Sequence, residues 1–233
     1  MGTLVLVRHG ESRWNLSNRF TGWVDVPLSE QGFKEAEICA KHCKEYDFDL
    51  AFTSRLERAR QTLYVILSQQ GRTGVVQHQG VDSKFKRWIR RSNLLRNHDL
   101  SVYTSERLNE RYYGDLQGME KHAAERKYGK QRVLEWRRAF EARPPNGESL
   151  KDTFDRIMPF FTKKIFPPVR MGKRVIVTAH GNTLRAIMKH LEGISDEAIA
   201  DIDLPQAKPI VYRYSTRGWK RLTGELKSGR PLR

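Results

Sequence analysis

Two histidines stand directly after short apolar runs and could both take part in catalysis. His9 follows the run Leu4–Val7 and comes after Arg8, and His180 follows the run Arg174–Ala179. A neutral imidazole can act as a nucleophile, and a guanidinium can bind an anion through two parallel hydrogen bonds. Taken alone, the first stretch is equally consistent with a core strand that ends in an exposed polar turn. Its repetition near residue 180 favours a site built from both turns.

The two apolar runs predict strands of a parallel sheet, which would carry both histidines to one edge. Open α/β sheets bind ligands outside the carboxyl ends of their strands, and a glycine after each histidine lets the backbone turn sharply there. Further strands are predicted at 50–53, 75–76 and 210–214. Helices are predicted at 29–46, 54–69, 121–128, 130–142, 149–167 with a kink at Pro159, and 183–192, with a short acidic helix near 196–202.

Size and composition limit the class of protein. A chain of 233 residues suits one α/β domain with a full core. It holds no apolar run of about 18 residues, and its start enters the first strand directly, so we expect neither a membrane span nor a signal peptide. Cys39 and Cys43 lie four residues apart in a predicted helix, which favours buried thiols in a reducing compartment, here the cytoplasm. The net charge of +16 favours an anionic partner: phosphorylated metabolites, nucleic acid or acidic lipid.

Several separated motifs resemble one family. Residues 8–15 read Arg-His-Gly-Glu-Ser-Arg-Trp-Asn, and with Thr21-Gly22-Trp23 they resemble the histidine phosphatase superfamily. Within that superfamily the chain is similar to the cofactor-dependent phosphoglycerate mutases, because residues 109–114 and 180–185 fit the same branch. The resemblance extends from Leu4 to about Tyr212. It implies an α/β fold, with a mostly parallel sheet flanked by helices on both faces.

The resemblance also implies roles for individual residues. His9 would take the phosphoryl group, Arg8, Arg58 and His180 would stabilise its charge, and Glu110 would act as general acid and base. His180 would be protonated for this task, with phosphate oxygens raising its pKa. The implied substrate-binding residues are Asn15, Thr21, Gly22, Arg111, Tyr112, Tyr113, Lys121, Arg137, Arg138, Gly181 and Asn182.

The implied reaction is the interconversion of 3-phosphoglycerate and 2-phosphoglycerate, an isomerase step of glycolysis and gluconeogenesis. The implied cofactor is 2,3-bisphosphoglycerate, as primer and as bound intermediate. We expect no metal ion, because the cations of the site supply the positive charge. The partner would be a small phosphorylated metabolite, with neither nucleic acid nor a membrane, and both a monomer and a homodimer are compatible with the sequence.

Alternatives remain open at this point. Glu110 could be a surface ion-pair partner of Arg111, and Tyr112 stands where the family commonly has a histidine. Arg55 and Arg60 fit a solvated helix face better than a phosphate site. The whole chain could be a phosphatase for another phosphorylated metabolite, or an inactive scaffold protein that has kept the fold.

A basic segment interrupts the regular pattern at about 71–105. Six cations at 84–96 mix with aromatic residues, and the segment holds too little apolar material for a core of its own. We therefore expect one domain over 1–233 with an insertion that forms a basic surface patch, although such a composition can also bind nucleic acid. The basic tail from Ser215 is expected to be mobile at its end.

Overall fold

The computed structural model describes residues 1–77 and 98–223 together with the backbone of 227–228. Its main sheet has seven strands in the order β3-β4-β2-β5-β1-β7-β8. These strands are β1 Gly2–Arg8, β2 Leu50–Thr53, β3 Thr73–Val76, β4 Asp99–Thr104, β5 Arg174–Ala179, β7 Pro209–Ser215 and β8 Gly218–Thr223. A separate antiparallel pair joins β6 Ile202–Asp203 to β9 Lys227–Ser228.

The sheet is parallel from β3 to β1 and becomes antiparallel only at β7 and β8. This mixed, mostly parallel sheet confirms the predicted fold class. β1 and β5 are neighbours, and their register places Arg8 opposite Ala179. His9 and His180 therefore leave adjacent strands at the same level, and the backbone N–H of His9 donates to Ala179 O over 3.0 Å.

Helices cover both faces of the sheet. They are α1 Arg13–Leu16, α2 Glu30–Cys43, α3 Glu57–Gln69, α4 Lys121–Tyr128, α5 Lys130–Arg138, α6 Leu150–Phe160, α7 Phe166–Arg170 and α8 Gly181–Glu192. Successive residues of β1 alternate between the faces: Leu4 and Leu6 pack towards α6 and α8, whereas Val5 and Val7 pack towards α2 and α3. Because both faces are buried there, the central residues Leu4–Val7 of β1 are all apolar.

Local signals in the sequence set several helix ends. Ser29 and Ser149 accept hydrogen bonds from backbone N–H groups of the first turns of α2 and α6, which satisfies donors that have no partner inside a helix. Gly193 ends α8 with a φ of +64°, a left-handed conformation that favours glycine. Pro159 lies inside α6, and the chain changes there to a π-helical turn at Phe161–Ile165 before α7 begins. The predicted helix 149–167 thus stays helical to Arg170, with a π-helical turn that begins two residues after Pro159, and the kink at Pro159 stays a prediction.

The structure corrects the prediction for the segment 71–105. Its ends are strands β3 and β4 of the main sheet, with β4 inserted between β3 and β2. Leu100 and Val102 of β4 are buried, so the C-terminal end of the segment belongs to the core, whereas β3 is an edge strand whose residues are exposed or partly buried. The basic residues at 84–96 lie outside the described residues.

Other element boundaries differ from the predictions. α3 begins at Glu57 with Leu56 as its N-cap, so Ser54 lies before the helix rather than at its start. α5 ends at Arg138, and the helix predicted near 196–202 is a 3-10 turn at Ala198–Asp201. Beyond Ser215 the chain turns at Gly218, which has a φ of +95°, and β8 pairs back on β7. The end of the tail, expected to be mobile, lies outside the described residues. In the described part of the chain no helix is long and apolar enough to cross a membrane.

Candidate active site

The two histidines predicted from the strand ends meet in the structure. The ring centroids of His9 and His180 lie 5.0 Å apart. His9 is only 4% exposed, and His180 is fully buried. His180 is the N-cap of α8, so the positive end of that helix faces the same region. The sheet thus delivers two imidazoles and a helix N-terminus to one point, an arrangement suited to an anion.

The hydrogen bond of His9 fixes which ring nitrogen carries the proton. Nδ1 lies 2.6 Å from Gly10 O, and a carbonyl oxygen can only accept, so Nδ1 is the donor. Burial, together with the cations of Arg58 and Arg8, holds the pKa of His9 well below its usual value of about 6.5. The ring is therefore neutral at pH 7, and Nε2 carries the lone pair that a nucleophile needs.

Gly10 is required for this turn. A Cβ atom at Gly10 would lie 2.4 Å from Gly32 O in α2, closer than two such atoms can approach. The backbone N–H of Gly10 donates to the Thr62 hydroxyl of α3 over 3.1 Å. The turn is therefore pressed between α2 and α3, which holds the carbonyl that orients His9.

His180 is oriented by Ser54. Its Nε2 lies 2.8 Å from Ser54 Oγ, and that oxygen accepts from the backbone N–H of Leu56, so we assign the hydroxyl proton to Nε2. Nδ1 then carries the ring proton and has no partner among the described residues. Burial and the nearby cations, Arg58 first, hold the pKa of His180 well below its usual value. Protonation of His180 by nearby phosphate oxygens, expected from the sequence, stays a prediction.

Arg8 and Arg58 place two guanidinium groups beside the histidines. Arg58 is 1% exposed and donates to Gly22 O and Val24 O at 2.8 and 3.0 Å, which ties the loop after α1 to α3. Burial lowers the pKa of Arg58 to about 10, so it remains charged at pH 7. Arg8 donates to Leu204 O over 2.6 Å. Within the described residues the Nε atoms of both arginines have no acceptor, so both can serve an anion.

Glu110 lies beside Arg8 and across from the start of α8. Its Oε1 accepts from the backbone N–H groups of Arg111 and Asn182, at 2.8 and 3.2 Å. A Cβ atom at Gly181 would lie 3.8 Å from both Arg8 Cζ and Glu110 Oε2, so glycine keeps the space between the guanidinium and the carboxylate open. Among the described residues the Glu110 carboxylate forms no ion pair with the Arg111 guanidinium, in contrast to the surface ion pair considered above.

The backbone N–H of Asn182, an implied substrate-binding residue, donates to Glu110 Oε1. The side chain of Asn182 donates from Nδ2 to the Tyr113 hydroxyl over 3.1 Å. On the opposite wall, Asn15 Oδ1 accepts from Ser12 and from Gln206 Nε2, which leaves its NH₂ group as the side that a ligand can use. Thr21 Oγ1 is buried with no partner among the described residues.

The cleft continues from His9 towards α4 and α5, whereas the fully buried His180 is not among its lining residues. Its lining includes seven cations and two carboxylates, which makes it suited to a ligand with several negative charges. The cations are Arg8, Arg19, Arg58, Lys121, Arg137, Arg138 and Arg185, and the carboxylates are Glu110 and Asp203. Lys121 is half-buried, and its burial and the charge of Arg137 lower its pKa.

Two predicted binding residues do not line this cleft. Arg111 is fully buried behind it, where Nη2 donates to the Tyr113 hydroxyl and to Arg137 O. Tyr112 is 38% exposed, and its ring packs edge-on against Trp23. Arg111 therefore supports the wall of the cleft, and the structure gives Tyr112 no contact with it.

Sequence reasoning assigned no role to Arg19 or Arg185. Arg185 is 5% exposed and donates to Asn182 Oδ1, Arg138 O and Ile199 O. These contacts join α8 to α5 and to the 3-10 turn that follows α8. Burial lowers the pKa of Arg185 to about 10. The sequence feature that could have indicated a role for Arg185 is the position of an arginine among the apolar residues of α8. Arg19 has no comparable signal, because it stands in an irregular loop.

Within the part of the chain that the structure describes, no group of three or more His, Cys, Asp or Glu side chains is arranged to hold a metal ion. The two cysteines are buried and unpaired by disulfide.

Comparison with known proteins gives the family. The model for the histidine phosphatase superfamily (branch 1) matches residues 4–88 and 76–224 of this chain. The chain belongs to the histidine phosphatase superfamily. The resemblance drawn from residues 8–15, 109–114 and 180–185 is thereby confirmed.

Several similar relatives match this chain over almost its whole length. It is 46% identical to the 2,3-bisphosphoglycerate-dependent phosphoglycerate mutase of Methanosarcina acetivorans, over 92% of each chain. It is 46% identical to the enzyme of the same name from Methanococcus vannielii, over 95% of this chain and 94% of that one. It is 43% identical to the phosphoglycerate mutase of Schizosaccharomyces pombe, over 92% of this chain and 91% of that one.

Solved structures show the same fold at lower identity. Mycobacterial hydrolase 1 superposes on this chain with a TM-score of 0.76 at 23% identity, covering 95% of this chain and 97% of that one. The mycobacterial glucosyl-3-phosphoglycerate phosphatase in complex with VO3 gives 0.75 at 22% identity, over 96% and 99%.

Proposed function

We propose that this protein is a 2,3-bisphosphoglycerate-dependent phosphoglycerate mutase, the activity for which its relatives at 43–46% identity are named. It interconverts 3-phosphoglycerate and 2-phosphoglycerate by way of a phosphohistidine at His9. The observation that carries the proposal is a neutral, buried imidazole whose Nδ1 donates to Gly10 O while cations surround the ring. Its Nε2 lone pair can attack phosphorus, and its fixed tautomer requires no rearrangement beforehand.

The residues of the cleft fit 2,3-bisphosphoglycerate. Its three anionic groups match a lining with seven cations and two carboxylates. Buried donors on Arg8 and Arg58, and the hydroxyl of Thr21, have no partner among the described residues, as expected for groups that await an anion. When bound, this cofactor supplies the phosphoryl group that primes His9. Because arginines and helix α8 provide the positive charge, we propose that no metal ion takes part.

Each residue at the catalytic end has a separate task. His9 Nε2 forms a bond to phosphorus as the bond from phosphorus to the substrate oxygen breaks. Arg8, Arg58 and the Nδ1–H of His180 stabilise charge on the three remaining phosphate oxygens. Glu110 gives a proton to the departing oxygen and takes one from the hydroxyl that attacks phosphohistidine in the second half of the reaction.

The far end of the cleft binds what is not transferred. Lys121, Arg137 and Arg138 lie there at half-exposed positions and would hold the carboxylate and the second phosphate. Arg111 and Tyr113 would set the wall between the two ends, since Tyr113 OH accepts from Arg111 and from Asn182. Tyr112 has no cleft contact, so its proposed binding role depends on the resemblance alone.

The proposal also includes the pathway, the compartment and the domain organisation of the enzyme. An interconversion of phosphoglycerates belongs to glycolysis and gluconeogenesis, and we place it in the cytoplasm. We also propose that residues 1–233 form one domain, because strands from both ends of the chain share the main sheet.

The alternative function is a phosphatase for another phosphorylated metabolite. Water in place of the substrate hydroxyl would turn the same phosphohistidine into a hydrolytic intermediate. The test is to supply 3-phosphoglycerate with and without added 2,3-bisphosphoglycerate and to follow 2-phosphoglycerate and inorganic phosphate together. We expect 2-phosphoglycerate to form and the added cofactor to accelerate it. Release of phosphate without 2-phosphoglycerate would favour the phosphatase, and the absence of both products would favour the inactive scaffold.

A further inference from the structure

The backbone that carries Glu110 is irregular, and one guanidinium holds most of it. Arg156, on α6, donates from Nη1 to the carbonyl oxygens of Glu106, Arg107 and Asn109 at 3.2, 2.9 and 3.2 Å. Its Nη2 donates to Glu110 O at 3.2 Å. Four carbonyls within five consecutive residues thus point at one side chain from a different part of the chain.

Glu148 fixes that guanidinium from the other side. Its carboxylate accepts from Nε and Nη2 of Arg156, both at 2.8 Å, in a two-point contact. The Arg156 side chain is 11% exposed in this pair. Glu148 also contacts the residue after Arg111: its Oε2 accepts from the N–H of Tyr112 at 3.0 Å, and its own N–H donates to Tyr112 O at 2.7 Å. The pair therefore holds the chain on both sides of Glu110.

Trp23 completes the support from the loop over the cleft. Its indole Nε1 donates to Glu110 O over 2.6 Å, so this carbonyl accepts from both Trp23 and Arg156. The Arg156 guanidinium lies over the indole ring, with Cζ 5.5 Å from the ring centroid. Two independent donors on two elements thus fix the position of one peptide group.

That peptide group determines where the Glu110 carboxylate can lie. Oε1 accepts from the N–H of Arg111, the peptide formed by the same Glu110 carbonyl, so a rotation of this peptide would carry the carboxylate with it. Its second contact, to the N–H of Asn182, is longer at 3.2 Å. The orientation of the carboxylate is therefore set largely through the backbone on which Arg156 and Trp23 act.

We propose that Arg156, held by Glu148 and Trp23, is a positioning residue that keeps Glu110 aligned for proton transfer. The proposal rests on the proposed function, since it assigns to Arg156 an effect on the proton step of that reaction. None of the three side chains lines the cleft, so none is expected to bind substrate. Proton transfer needs heavy atoms within about 3 Å, and a displacement of about 1 Å can reduce a rate by about a hundredfold.

Two variants test the proposal at separate points. Arg156→Lys keeps the charge beside Glu148 but cannot reach four carbonyls. Trp23→Phe removes the indole N–H that donates to Glu110 O and makes the side chain smaller, but keeps an aromatic ring at this position. Arg143→Lys is the matched control, because Arg143 forms a similar two-point contact with Asp152 at the start of the same helix, away from the Glu110 segment. Mutase kcat, KM for 3-phosphoglycerate, the inhibition constant for orthovanadate and the melting temperature are measured for each protein.

A change in kcat without a change in KM or in the vanadate inhibition constant distinguishes a positioning role from general structural damage. We expect Arg156→Lys to lower kcat by about tenfold to a hundredfold and Trp23→Phe by about threefold to tenfold, with KM and the vanadate constant changed by less than about threefold. The control should retain native kcat. Parallel changes in kcat, KM and the vanadate constant would show a merely structural role and overturn the proposal. If Arg156→Lys fails to fold, Trp23→Phe decides by the same criteria.

The activity of the native protein distinguishes a failure of the proposed function from a failure of the positioning role alone. A native protein that makes no 2-phosphoglycerate overturns the proposed function and this inference with it. An active native protein whose two variants keep native kcat overturns the positioning role alone.

Discussion

The two ends of the cleft are built in different ways. At the catalytic end, His9, His180 and Arg58 are at most 4% exposed and are attached to the sheet and to α3. At the far end, Arg137 and Arg138 are half-exposed on α5, which packs in a small hydrophobic cluster of its own. That cluster consists of Phe20, Leu116, Ala124, Val133 and Trp136.

The two ends of the cleft are therefore suited to different tasks, catalysis at the buried end and substrate binding at the half-exposed end. Burial on rigid strands fixes the tautomers of the histidines and shifts their pKa values, which chemistry requires. Half-exposed cations keep more freedom of orientation, but they attract and hold a polyanion. Variants at the catalytic end should therefore change kcat, and variants at the far end should change KM.

The largest effect is expected at the nucleophile. His9→Gln removes the attacking nitrogen, and loss of a nucleophile has lowered turnover by on the order of 10⁶-fold where it was measured. We expect mutase turnover to fall below detection. His42→Gln, at an exposed position on α2, is the control and should retain native turnover. A His9→Gln protein with measurable turnover at a few per cent of native would contradict the covalent route.

Glu110→Gln should have the next largest effect. It keeps the shape of the side chain but removes proton transfer, which is worth about 10²–10⁴-fold. We expect mutase kcat to fall by that factor. Phosphorylation of His9 by p-nitrophenyl phosphate should change by less than about threefold, because that leaving group departs without a proton. Equal loss with both substrates would assign Glu110 to phosphate binding, and unchanged mutase kcat would leave it no role in the reaction.

Substitutions at the far end should act on binding. Arg137→Ala and Arg138→Ala should each raise KM for 3-phosphoglycerate by about tenfold, equivalent to about 1.4 kcal/mol, and leave kcat within about threefold. Arg132→Ala is the matched control, since Arg132 is exposed on the same helix and does not line the cleft. Added salt should raise the native KM, because half-exposed charges are screened. A fall in kcat with unchanged KM would contradict the proposed division of catalysis and substrate binding between the two ends of the cleft.

The smallest effect concerns stability and pH. Burial lowers the native pKa values of His9 and His180, so the unfolded chain binds more protons than the native protein below about pH 6.5. The contribution of these residues is therefore fully present above that pH and is lost as pH falls towards the native pKa values. The free energy of unfolding should decrease by up to about 1.4 kcal/mol per pH unit for each histidine.

Urea unfolding at a series of pH values measures this slope. His9→Gln should have a shallower slope than the native protein, and inorganic phosphate should oppose the loss by binding the native state. Identical slopes for the two proteins would show that His9 is not held neutral by its surroundings.

The sequence predicted the catalytic end better than the far end, and the structure shows why. β1 and β5 have continuous apolar runs at their centres because both faces are buried, so their ends, and with them His9 and His180, could be located. β4 was missed because the polar residues Asp99 and Ser101 interrupt its buried residues and a basic segment precedes it. β8 was missed because most of its residues are exposed and its position depends on pairing with β7.

The supporting arginines could not be predicted in the same way. Arg156 contacts carbonyls 46 to 50 residues away in the sequence, and no local pattern encodes that distance. Arg185 is buried only because α5 and the turn after α8 supply carbonyl oxygens to it. Contacts of this kind arise from tertiary packing and appear only once the elements are assembled.

The most direct test of the account is to locate the phosphoryl group on the protein. The native protein is incubated with 2,3-bisphosphoglycerate labelled in both phosphates, digested at alkaline pH, and analysed by mass spectrometry for the modified residue. The account predicts an acid-labile, base-stable phosphate on Nε2 of His9, and none after His9→Ala. Label on another residue, or equal labelling of the His9→Ala protein, would contradict the assignment of His9 as the nucleophile.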